Sequence, residues 1–96
     1  MHYNEIRREA DLIVQELQRV LAGFVRTSDV APVDPEDFRE MVWAGESRLG
    51  TETLCEQLVE NGVLLPVSLA QRLRRFGESV GVAKSYIDRI GVTPGE

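Results

Sequence analysis

A single cysteine, Cys55, permits no internal disulfide and cannot by itself make a cysteine-based zinc site. A single histidine, His2, stands next to the first residue. One histidine excludes a multi-histidine metal set, and its place in the terminus argues against a Ser/His/Asp arrangement. The chain has no glycine-rich phosphate loop. Carboxylates are plentiful, but nothing in the pattern places two of them in an apolar cleft that would split their pKa values. These absences predict a protein that is not an enzyme and takes no cofactor and no metal. Aromatic residues make up 6% of the chain, so platforms for stacking nucleic-acid bases are few. No apolar run approaches the roughly 20 residues of a membrane span. The opening MHYNEIRREAD is charged and lacks the apolar stretch of a signal peptide. The expected compartment is the cytoplasm, with no membrane partner.

The 96 residues allow one domain, 1–96, with a limited core. A hydrophobic fraction of 43% beside 28% charged residues is that of a soluble globular protein. The net charge of −5 is unevenly placed. Residues 1–30 hold five acids and four bases; residues 31–62 hold eight acids and two bases. Residues 63–91 reverse the balance, with two acids and five bases. The acidic middle favours basic partners and repels nucleic acid, and the basic last third does the reverse.

Apolar spacing predicts an all-α protein, a small bundle of about five helices without a convincing strand. The first helix occupies most of 1–30, from an N-cap at Asn4 to about Phe24. Ile6, Ile13 and Val20 are spaced by seven, as are Ala10, Leu17 and Phe24, which makes a stripe at coiled-coil spacing. Gly23 and Thr27-Ser28-Asp29 end it. The core that follows covers 34–91. Asp34 is suited to cap a second helix, with Pro35 at its first position and Glu36 and Asp37 in its first turn. Phe38, Met41 and Val42 face inward there, and Gly45 stops it. A third helix runs over about 51–61 to a stop at Gly62. Val63-Leu64-Leu65 reads as a buried connector closed by Pro66. Ser68 caps a fourth helix with Leu69, Leu73, Phe76 and Val80 inward, ended by Gly81. A short fifth helix covers about 85–90, and 93–96 frays.

The third helix has two unlike faces. Leu54, Cys55, Leu58 and Val59 recur on one and can bury themselves. Glu52, Glu56 and Glu60 recur every four residues on another, with no base between 51 and 61. The plain reading of such a row is a solvated face. Accumulation favours more, because Asp34, Glu36, Asp37, Glu40 and Glu46 precede it and crowded like charges repel. A partner rich in Lys and Arg relieves that repulsion and is steered in quickly. Trp43 is either a half-buried core residue or an aromatic anchor among these carboxylates. Asp37, Glu40, Trp43, Glu46, Glu52, Glu56 and Glu60 are therefore the candidate partner-binding residues. Cys55 reads as a small core residue, since nothing beside it supports a nucleophile.

The stretch from about 38 to 90 resembles the MafI family of immunity proteins of bacterial polymorphic toxin and contact-dependent inhibition systems. The likeness runs through a helix ending in Gly45-Glu46, then Glu52-Thr53-Leu54-Cys55-Glu56-Gln57-Leu58, then Glu60 before Val63-Leu64-Leu65-Pro66. It closes with Phe76-Gly77 and Val80-Gly81. The long N-terminal helix and Leu49-Gly50-Thr51 depart from the family pattern. The resemblance implies a small helical protein that binds the toxic C-terminal domain of an effector, often a nuclease, without touching nucleic acid directly.

Two other classes stay open. Residues 69–92 loosely resemble the opening of a helix-turn-helix, with Arg72, Arg74 and Arg75 on the first helix, Gly81 in the turn and Ser85 starting the second. This would make a DNA-binding regulator, whereas the bland reading is a solvated outer face with some of these arginines pairing across to the acidic block. The seven-residue stripe of the first helix would instead support an adaptor or a homodimer.

Overall fold

The computed structural model describes residues 2–24 and 31–94. Five helices follow in order among them: α1 (Tyr3–Ala22), α2 (Pro35–Trp43), α3 (Ser47–Glu60), α4 (Val67–Ser79) and α5 (Lys84–Ile87). The described residues hold no strand, only one isolated parallel bridge between Leu65 and Val92. The fold is the small all-α bundle that the apolar spacing predicts.

α1 forms because one face stays apolar over 20 residues. Ala10, Ile13, Val14 and Leu17 on that face are buried, and Ile6, Val20, Leu21 and Phe24 pack at the edge of the same cluster. The stripe is thus used inside the chain, against α2 and α4, rather than left free for a second copy. The helix starts one residue ahead of Asn4. His2 takes the cap position, and no side chain caps that end. Thr27-Ser28-Asp29 lie outside the described residues.

α2 starts as its sequence predicts: Asp34 Oδ1 accepts from the Asp37 amide at 3.1 Å, and Pro35 opens the helix. Three helices then stop by one device. After α2, Glu46 N–H donates to Met41 O at 2.8 Å and Gly45 N–H to Val42 O at 3.1 Å. The same pair of bonds recurs around Gly62 after α3 and Gly81 after α4. This closure needs a left-handed residue, and φ is +86° at Gly45, +66° at Gly62 and +86° at Gly81.

α3 begins at Ser47, four residues ahead of the predicted start. Gly50, left outside the predicted span, lies inside the helix, and α2 crosses it closely. A Cβ there would stand 2.9 Å from Met41 Cβ and 3.6 Å from Phe38 O. The extension also brings Arg48 into the helix that carries the acidic row. Buried Thr51 keeps its hydroxyl satisfied by donating to Ser47 O at 2.7 Å.

The connector is buried at Val63 and Leu65 but exposed at Leu64. Pro66, not Ser68, occupies the cap position of α4, and Ser68 is the second residue of the helix. α5 is shorter than predicted, since the Ile90 N–H bond to Ile87 O at 3.2 Å tightens the chain after one turn. Thr93 is not frayed: its N–H donates to Leu65 O at 2.9 Å. Gly95 and Glu96 lie outside the described residues. At the centre Phe38 and Phe76 meet edge to face, with centroids 5.8 Å apart.

Candidate partner-binding surface

α2 and α3 run antiparallel. The Asp34 amide donates to Gln57 Oε1 at 3.1 Å at one end, and Met41 lies on Gly50 at the other. Asp37 and Glu40 therefore lie alongside the middle of α3. Phe38 and Val42 bury one side of α2, and Glu40, roughly opposite them, is exposed. Leu54, Cys55 and Leu58 bury one side of α3, and Glu56 and Glu60 are exposed on the other. Each four-residue step turns the row by about 40°, so it drifts by about 80° from Glu52 to Glu60. Glu52 is accordingly half-buried, and Glu56 and Glu60 are exposed. Asp37 is half-buried in the first turn of α2, and Glu46 is exposed at the α3 cap position, where negative charge suits the helix N-terminus.

Arg48 sits one step before Glu52 in the same row, so the helix is not free of bases, as its shorter predicted span implied. Its side chain leans towards the end of α4, with Cδ 3.9 Å from where a Cβ on Gly81 would stand.

Ion pairs elsewhere account for several of the bases. Arg72 reaches Glu9 at 3.2 Å and Glu16 at 3.3 Å, both on α1, and Arg74 reaches Asp88 at 3.0 Å. The bland expectation of pairing with the acidic block is thus corrected: the partners are on α1 and after α5. Arg39 reaches Asp11 at 3.3 Å and Glu36 at 3.6 Å. Among the described residues, no ion pair within 4 Å engages Asp37, Glu40, Glu46, Glu52, Glu56 or Glu60.

Trp43 is the last residue of α2 and lies outside the core cluster. It is 43% exposed and lies over α1. Its Nε1 donates to Asp11 Oδ1 at 3.3 Å, and the Arg7 guanidinium stands 4.4 Å from its ring and 4.0 Å from the Tyr3 ring. Tyr3 Oη and Arg7 Nη2 both donate to the Trp43 carbonyl, at 2.9 and 3.1 Å. Glu36, Arg39, Glu40 and Trp43 line an open depression of about 300 Å³. The seven candidates thus divide. Glu40 and Trp43 share the depression on α2, Glu52, Glu56 and Glu60 follow one another along α3, and Asp37 and Glu46 stand in the first turn of α2 and at the α3 cap. Tyr3, Arg7 and Asp11 were not singled out from sequence, although their four-residue spacing marks one face of α1.

A depression of about 420 Å³ lies between α1 and α4 and is lined by Glu9, Glu16, Ser68, Gln71, Arg72, Arg75 and Phe76. Its charges balance, and no histidine or thiol stands beside Ser68. Among the described residues no group of three or more His, Cys, Asp or Glu side chains is placed to hold a metal. No described helix is long and apolar enough to cross a membrane. α5 has four residues, about 6 Å of helix, and Ile87 in it is buried. A helix that reads a major groove is longer and presents its side chains outward.

Cys55 is buried, and its thiol is pushed up to about 11 from 9.0, mainly by burial and then by Glu52 and Glu56. The folded state therefore favours the protonated thiol. Its contribution to stability is full below about pH 9 and is lost as pH rises towards about 11. Two units correspond to about 3 kcal/mol at most. Urea unfolding of the wild type and Cys55→Ala across this window should show a steeper alkaline decline in the wild type. Alkylation at neutral pH should be slow until the chain unfolds.

No family model matches the chain, and neither curated proteins nor solved structures give a match. The chemistry of a partner has to be read from the side chains themselves.

Proposed function

We propose that this protein is an immunity protein: it binds and neutralises a cognate bacterial toxin domain, a basic nuclease, through the carboxylates of α2 and α3. One observation carries the reading. The intramolecular ion pairs occupy Glu9, Asp11, Glu16, Glu36 and Asp88, while six carboxylates on α2, α3 and the turn between them pair with no described base. Exposed like charges left together cost stability, and a basic partner removes that cost. A nuclease grips nucleic acid with a basic groove, and carboxylates spaced along a helix can occupy that groove or shield its rim. The likeness of 38–90 to the MafI family supports the same partner class.

Affinity capture from lysate of the native host, at low and high salt, tests the proposal. Mass spectrometry and nucleic-acid detection identify the eluate. Recovery of a basic toxin domain, released by salt, is expected. Recovery of nucleic acid without such a protein would overturn the reading.

A further inference from the structure

The depression along α2 has its own geometry. Trp43 is the only tryptophan and stays 43% exposed, an unusual position for the side chain with the most apolar area to hide. Its orientation is nevertheless held. Asp11 accepts from the indole N–H, Arg7 lies against the ring, and Tyr3 and Arg7 grip the carbonyl of the same residue. Ordering this ring on binding therefore costs little. Arg7 also shows what the ring attracts, since a guanidinium at 4.4 Å is a cation–π contact.

The charges around the depression point the same way. Arg39 is offset by Asp11 and Glu36, and Glu36 also accepts from Gln18 Nε2 at 3.1 Å. Glu40 pairs with no described base. The lining sets Glu36 and Glu40 against the Arg39 guanidinium, and with Asp11 and Arg7 beside it the balance is three carboxylates to two guanidiniums, so a cation is favoured over an anion. A volume of about 300 Å³ is at the bottom of the range for small-molecule sites, which suits one inserted side chain.

We infer that the depression lined by Glu36, Arg39, Glu40 and Trp43 receives an arginine side chain of the protein partner. The guanidinium stacks on the indole surface that lines the depression, and the Glu40 carboxylate accepts its N–H groups. The site gives α2 a fixed aromatic anchor, apart from the acidic row of α3. The inference rests on the reading of the acidic surface as a site for a basic protein.

The probe is an oligoarginine peptide, titrated into the full chain while the Trp43 indole N–H resonance and the backbone amides of α2 and α3 are followed by NMR. Saturable movement of the indole resonance is expected, with affinity reduced about 2–5-fold in Glu40→Gln. Glu78→Gln, on α4, should leave the indole response unchanged. Peptide binding that moves α3 amides and leaves the indole still overturns the inference and keeps the acidic row as a docking face. An indole response of full strength in Glu40→Gln also overturns it. No peptide binding anywhere removes both.

Discussion

Leu17→Glu is expected to unfold the protein rather than to separate two copies of it. Leu17 is 0% exposed and lies among Ala10, Ile13 and Val14 of α1 and the apolar side chains that α2 and α4 bring against them. Removing the leucine from this cluster costs about 2–5 kcal/mol. Placing a carboxylate there without a partner adds several kcal/mol more. The total stability of a domain this size is about 5–15 kcal/mol, so the two losses together consume most or all of it. Circular dichroism and thermal unfolding should show lost helix at every protein concentration. A variant that keeps its helical signal and changes only its sedimentation would mean that the stripe faces another copy.

Reversing Glu52, Glu56 and Glu60 together to lysine should leave the fold intact and cripple association with the proposed basic partner. Glu56 and Glu60 are exposed and Glu52 is half-buried, and none of them pairs with a described base. Substitutions at such sites change stability by about 0.5 kcal/mol or less each. The three reversals move the net charge by six, from −5 to +1, and turn an attractive field into a repulsive one where the partner arrives. Electrostatic steering raises association rates by about 10–1000-fold, so a loss of that order is expected. High salt should bring the wild type down towards the variant, because screening removes the same attraction. Stopped-flow association with unchanged thermal unfolding checks both halves. Equal rates for the two proteins at low salt would reduce the row to a solvated face.

What could be read from sequence was mostly local. Asp34-Pro35 predicts the start of α2, and Gly45, Gly62 and Gly81 predict three helix ends, because each acts within a few residues of itself. The inward faces of α1 and α4 follow from spacing alone. Gly50 fell outside the predicted span of α3, and a glycine that permits close crossing of two helices is written the same way as one that breaks a helix. Its role depends on Met41, which α2 brings against it. The position of Trp43 depends on how α1 crosses α2, and the partners of Arg72 depend on how α1 crosses α4. Neither crossing is encoded in any window of neighbouring residues. The row Glu52, Glu56 and Glu60 was legible as a row, but its division from Trp43 was not.

The sharpest test is whether this protein stops the chemistry of its partner. The captured toxin domain, purified away from it, should degrade nucleic acid, and titration with the full chain should end cleavage near one equivalent. Added nucleic acid should compete with the inhibition if the carboxylates enter the groove itself. A captured domain that cleaves at an undiminished rate in excess of this protein would contradict the account.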